Sequence, residues 1–167
     1  MLRSSLLFLS RQPSLFRLVR HNRLAKAMAS RFVAGETVDS AVTAVQRLNA
    51  AGITASLDLL GESVTNEGEA RAAAAEYVRL IDAIAKNKLD ANVSVKLTAM
   101  GQDISDDLCE TIMLSILDRA HQHESFVRLD MEGSAYTTRT IEFFEKRLYP
   151  RYPDNVGIVL QSSLRRT

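Results

Sequence analysis

The sequence predicts an α/β fold: the first half, about four βα units, of a TIM-type (βα)8 barrel preceded by amino-terminal helices. Three observations predict it. Four short apolar runs, Thr54–Leu60, Asn92–Thr98, Phe126–Glu132 and Val156–Ser162, alternate with stretches of helical period. Each run is polar on one face only, because alternate side chains of a strand point to opposite sides. The polar positions Asp58, Lys96, Asp130 and Gln161 recur at intervals of 38, 34 and 31 residues, each near the end of its run. Strands alternating with helices imply right-handed crossovers and a parallel sheet.

The elements follow in order. Residues 1–35 hold seven Lys/Arg and no Asp or Glu, so the remainder carries 14 basic and 20 acidic residues, a net of −6. This basic helical segment has three readings: a mitochondrial transit peptide, an amphipathic helix on an anionic membrane surface, or a plain basic extension. Residues 36–167 form the partial barrel. Val38, Ala41, Val42, Val45 and Leu48 mark a helix that Gly52 ends. The first run then reads Leu57 and Leu59 on one face, Ser56 and Asp58 on the other. Ala70, Ala73, Ala74, Tyr77, Leu80, Ile81 and Ile84 form the next helical stripe. The second run divides into Val93, Val95, Leu97 and Ser94, Lys96, Thr98. A third stripe contains Leu108, Ile112, Met113, Ile116, Leu117 and Ala120, with Ser105 as its N-cap. The third run divides into Val127, Leu129, Met131 and Arg128, Asp130, Glu132. Ile141, Phe144 and Leu148 mark a short helix that Pro150 and Pro153 terminate, and the fourth run puts Gln161 on the polar side.

The first βα turn, Gly61-Glu62-Ser63-Val64-Thr65, lacks a Gly-rich dinucleotide fingerprint, which favours a barrel over a doubly wound sheet. A full barrel needs about 250 residues. The chain of 167 residues reaches only the fourth strand, and is expected to be truncated there. The single cysteine allows no intrachain disulfide and fits a reducing compartment such as the cytoplasm. The acidic remainder, without zinc-finger spacing or an aromatic RNA-binding motif, argues against a nucleic-acid partner.

Charged side chains on the inner face of a parallel barrel gather at its ligand site. Lys96 can hold a carboxylate or phosphate, or form a Schiff base if its pKa is depressed. Asp130 can pair with Lys96, accept a proton or orient a ligand. Arg128 and Glu132 extend the same stripe. Asp58 and Glu62 bracket the end of the first strand, where capping of the following loop is the expected role. Gln161 offers both a donor and an acceptor, as a heteroaromatic edge requires. His121 and His123 lack the spacing and the further ligands of a metal site, so no metal is expected. Cys109 has no evident activating partner.

The segments Leu57–Glu62, Val93–Thr98, Val127–Glu132 and Val156–Ser162, together with Arg31–Glu36 before them, resemble bacterial monofunctional proline dehydrogenase over its amino-terminal half. The resemblance implies a distorted barrel that binds FAD non-covalently. It implies oxidation of L-proline to Δ1-pyrroline-5-carboxylate, with electrons passed to a membrane quinone. Lys96 then matches the lysine that contacts the substrate carboxylate, Asp130 the active-site acid, and Met131 and Gln161 the positions that contact the flavin. Under this resemblance residues 1–35 become a candidate peripheral contact with the inner membrane. The family's second half, with further FAD contacts and an arginine pair that Arg165 and Arg166 do not represent, has no counterpart here. The chain by itself is therefore expected to be inactive. Two other readings stand beside it: a non-catalytic half-barrel that binds or dimerises, and an aldolase-type enzyme with Lys96 as Schiff base.

Overall fold

The computed structural model describes residues 33–162. Most of the basic segment, and Arg165 and Arg166, lie outside them. The chain divides into two compact units, Met1–Ala41 and Val42–Thr167. In the first, Thr37 and Ser40 cap each other at the start of helix α1 (Val38–Ala50). Thr37 Oγ1 accepts the Ser40 N–H at 3.2 Å and Ser40 Oγ accepts the Thr37 N–H at 3.1 Å. This reciprocal arrangement satisfies two backbone donors that a helix start leaves unpaired.

The second unit contains a four-stranded parallel sheet in the order β1 (Ala55–Asp58), β2 (Ala91–Val95), β3 (Val127–Leu129), β4 (Val156–Ile158). Helices α2 (Glu67–Lys86) and α3 (Asp106–Gln122) connect the first three strands, and α4 (Thr137–Phe143) leads towards the fourth. Each strand is shorter than its apolar run. Alternation reports burial rather than ladder pairing: Leu97 and Met131 lie beyond the strand ends yet stay 0% and 5% exposed.

Register sets the two faces. Leu57, Val93, Val127 and Val156 form one row, and Val95, Leu129 and Ile158 the next. Within these rows, Val93, Val95, Val127 and Leu129 are fully buried. The buried stripes of α2 (Ala70, Ala74, Tyr77, Leu80, Ile81, Ile84) and α3 (Cys109, Ile112, Met113, Ile116, Leu117, Ala120) complete this core. The opposite face carries Asp58, Ser94, Arg128 and Gly157 in one row.

The Ser105 cap forms as the sequence indicates, its Oγ accepting the Asp107 N–H at 3.2 Å. Asn66, which the periodicity does not reveal, caps α2 by accepting the Glu69 N–H at 2.9 Å. After β2 the chain enters a 3-10 turn, Leu97–Met100, and leaves it through Gly101 at φ +83°. A side chain there would be strained by that φ, and its Cβ would lie 3.4 Å from that of Ala70, so small residues on both elements let the turn press against α2. The short fourth helix departs from the expected Ile141/Phe144/Leu148 stripe. It widens into a π turn, Phe144–Leu148, and the buried pair is Phe143 and Leu148, five residues apart. An i→i+5 turn brings residues of that separation onto one face.

Gly157 meets a ring. A Cβ at this position would lie 2.6 Å from Phe126 Cζ. Gly157→Ala is expected to destabilise the chain by about 1–3 kcal/mol. In a Phe126→Leu background the same substitution costs less, as denaturant unfolding would report; an equal cost in both backgrounds rejects the contact.

Candidate active site

Lys96 follows β2 directly and is the centre of a polar chain that crosses all four strand ends. Its side chain is 18% exposed. Lys96 Nζ lies 2.5 Å from Asp58 Oδ2, on the neighbouring β1, and 3.7 Å from Asp130 Oδ2, just past β3. The first contact is a charge-assisted hydrogen bond. The second is an ion pair too long for one. An ammonium has three hydrogens, and Asp58 engages one of them. Asp58, expected to cap the following loop, is instead the principal partner of Lys96, because its parity on β1 aims it at the same face.

Two carboxylates around one ammonium leave the cluster with an excess of negative charge. Burial pulls the Lys96 pKa down, but the hydrogen bond and charge of Asp58, then the charges of Asp130 and Glu62, outweigh it and hold the ammonium above the ordinary lysine range. A Schiff-base lysine needs the opposite shift to supply a neutral amine, which argues against the aldolase-type reading.

Asp130 uses both oxygens. Oδ2 faces Lys96, while Oδ1 accepts the Met131 N–H at 2.9 Å and the Gln161 side-chain amide at 3.2 Å. The Gln161 amide also donates to the Met131 carbonyl at 3.3 Å. Two acceptors on one side fix which end of the amide is NH2. Met131 is 5% exposed, and both its main-chain N–H and its carbonyl are taken up inside this cluster. These bonds tie Gln161 to the Asp130–Met131 main chain and hold the fourth strand end against the third. Asp58, Lys96, Asp130 and Gln161 are thus brought together, one from each successive strand end. Arg128 sits one row below, level with Ser94 and Gly157.

Two hubs were not legible as such. Thr98, taken as one more polar-face residue, is fully buried in the 3-10 turn. Its hydroxyl donates to Glu132 Oε1, its N–H donates to Glu132 Oε2 at 3.2 Å, and it accepts the Ser63 N–H at 3.0 Å. Its carbonyl accepts the Val64 N–H at 3.2 Å. Glu132 therefore anchors, through Thr98, the turn that carries Glu62. The second hub is Tyr77, whose hydroxyl lies 3.0 Å from Asp58 Oδ1. It reads in sequence as one apolar member of the α2 stripe; only the depth of its ring reveals where the hydroxyl ends.

The remaining candidates lie elsewhere. His121 Nδ1 is 2.8 Å from Asn155 Oδ1 and His123 Nε2 is 3.2 Å from Asp82 Oδ1. Among the described residues no group of three or more His, Cys, Asp or Glu is arranged to hold a metal. Cys109 is buried, and burial, then the charge of Asp106, pushes its thiol far above the ordinary range. Among the described residues no helix is long and apolar enough to cross a membrane.

Comparisons with known proteins bear on this geometry. Proline dehydrogenase 1 of Bacillus subtilis subsp. natto is 39% identical over 171 residues, covering 99% of this chain and 54% of that protein. The proline dehydrogenase of Deinococcus radiodurans is 34% identical over 168 residues, covering 99% of this chain and 54% of that protein. The crystal structure of proline utilization A from Bdellovibrio bacteriovorus, inactivated by N-propargylglycine, superposes with a TM-score of 0.73 at 25% identity, over 84% of this chain and 18% of that one. The chain spans about half the length of the curated relatives it matches. The family model described as proline dehydrogenase matches residues 41–167, a span that includes every residue of the polar chain at the strand ends, and the chain belongs to the proline dehydrogenase family.

Proposed function

We propose that residues 36–167 supply the amino-terminal half of a (βα)8 barrel that oxidises L-proline to Δ1-pyrroline-5-carboxylate with FAD and hands the electrons to a membrane quinone. The observation that carries this reading is the chain Asp58–Lys96–Asp130–Gln161, with an ammonium that stays charged between two carboxylates. Family membership supports the substrate.

Proline is a zwitterion. Its carboxylate takes the Lys96 hydrogens that Asp58 leaves free, in a half-buried position where charge pairs are stronger than in water. Asp130, on the other side of Lys96, receives the ring nitrogen and orients the ring. Oxidation removes a hydride from the ring carbon beside nitrogen and one of the two protons of the zwitterion's nitrogen, which passes to solvent, leaving a protonated C=N bond. FAD, when bound, supplies the hydride acceptor. Gln161 and Met131, joined to Asp130 at the strand ends, are the residues assigned to flavin contact. The first βα turn has no Gly-rich cradle for its phosphates. Residues 1–35, with seven basic groups and no acidic ones, suit contact with the anionic surface of the membrane that holds the quinone.

A second reading has one observation in its favour. Leu60 and Leu160, just past the two outer strands, are 86% and 73% exposed. Apolar residues beside unpaired strand edges invite a covering partner, and a second copy of the chain is one.

In a proline-oxidising barrel carrying these residues, Lys96→Met is expected to raise KM for proline about 10- to 100-fold, the worth of a hydrogen bond to a charged group. An unchanged KM removes Lys96 from the site. Because the Lys96 pKa is raised above the ordinary lysine value, the cation predominates at every pH below that value and gives way only above it. The affinity for a carboxylate competitor therefore shows no Lys96-dependent decline up to that pH. The 167-residue chain expressed alone is expected to retain little FAD and to show no turnover, while fusion to the remaining half of the Bacillus relative restores proline-dependent dye reduction. A closed dimer carrying stoichiometric flavin favours the second reading instead. Deletion of residues 1–35 is expected to abolish co-sedimentation with anionic liposomes; unchanged co-sedimentation removes the membrane contact.

A further inference from the structure

Tyr77 lies midway along α2, on the face turned to the sheet, and is 1% exposed. Its hydroxyl reaches the seam between β1 and β2. There the Leu59 N–H donates to it at 3.3 Å, and the Ser94 carbonyl at 2.8 Å and Asp58 Oδ1 at 3.0 Å accept from it. A hydroxyl has one hydrogen, so these two acceptors share it in turn.

The neighbouring seams close without such an insertion. Past β3, Asp130 N–H donates straight to the Val95 carbonyl at 2.9 Å, and past β4, Val159 N–H donates to the Leu129 carbonyl at 2.9 Å. The β1–β2 ladder starts in the same way, with Ala55 N–H on the Asp90 carbonyl at 3.1 Å. Its register pairs Asp58 with Ser94, so the corresponding final rung runs from Leu59 N–H to the Ser94 carbonyl. The Tyr77 hydroxyl stands in that rung. It bridges the Leu59 N–H and the Ser94 carbonyl just where Asp58 closes β1 and Lys96 follows β2.

Core packing alone does not account for this oxygen. A phenyl ring would fill the same space, and its absence of a hydroxyl would let the rung close directly. Burial, then the charge of Asp58, pushes the phenol above its ordinary range, so at neutral pH it remains a donor. Asp58 is thereby divided: Oδ1 faces Tyr77, which shares its hydrogen between this oxygen and the Ser94 carbonyl, and Oδ2 faces Lys96.

We propose that Tyr77 is a positioning residue for Lys96: wedged in the β1–β2 ladder and bonded to Asp58 Oδ1, it presents Asp58 Oδ2 to the ammonium and so sets where the substrate carboxylate is received. The consequence for substrate rests on the function proposed above. The coupling between Tyr77, Asp58 and Lys96 does not.

The test uses the full chain and two variants, Tyr77→Phe and Asp58→Asn, singly and together. Competitive acetylation of Lys96 by acetic anhydride across the alkaline range, read by mass spectrometry, gives the midpoint at which its amine deprotonates. Tyr77→Phe is expected to keep the native circular dichroism and to lower that midpoint by about half a unit or more. Asp58→Asn also lowers it, and adding Tyr77→Phe to Asp58→Asn moves it no further, since the phenol acts through that carboxylate. A midpoint unmoved by Tyr77→Phe, or a shift of equal size with and without Asp58, overturns the inference. In the proline-oxidising barrel, Tyr77→Phe is expected to raise KM about fivefold with kcat within about twofold; an unchanged KM overturns the substrate consequence. If the parent barrel does not oxidise proline, the proposed function falls, and the labelling still decides the role of Tyr77.

Discussion

One ammonium shared by carboxylates from the ends of the two strands that flank its own is the constraint around which this structure is arranged. Lys96 meets Asp58 on one side and Asp130 on the other. Partly burying three charges is costly unless their remaining hydrogen-bonding capacity is met. The surroundings meet it. The Met131 N–H and the Gln161 amide supply Asp130, and the Tyr77 hydroxyl supplies Asp58. Each donor comes from a different element, so the cluster can be complete only when helix α2 and the ends of all four strands are in place.

The apolar side of the sheet makes that possible. Val93, Val95, Val127 and Leu129 are fully buried, as are the large side chains of α3 that face them. Close-packed interiors transmit small displacements, so a core of this kind fixes the heights of the strand ends. Ala70 and Gly101 let the turn after β2 approach α2 closely, and Thr98 in that turn holds both Glu132 and the loop after β1. Ligand sites of parallel α/β folds lie at the carboxyl ends of strands. Here the polar chain occupies those ends, and the family match covers every residue in it.

Much of this was readable in advance because strand parity is simple. Asp58, Lys96, Asp130 and Gln161 fall on the polar side of their runs, and a period of two puts them on one face whatever the details of pairing. The Ser105 cap was readable for a similar reason, since the cap and its partners are neighbours in sequence. Other features were not. Periodicity does not distinguish a residue in a ladder from one buried just beyond it, so Leu97, Thr98 and Met131 read as strand residues although they follow the strands. The Phe143–Leu148 pair depends on a π turn that no propensity scale signals.

Local pattern, then, settled the alternation of strands and helices, the apolar and polar sides of each run, and the residue types available at the strand ends. Those properties depend on a few consecutive residues. Register and packing decided the rest: that Asp58 pairs with Lys96 rather than with its own loop, that the Met131 main chain is bonded to Gln161, and that a core tyrosine ends at a carboxylate. These depend on which atoms distant segments bring within about 3 Å of one another, the reach of a hydrogen bond, and no short stretch of sequence contains both partners.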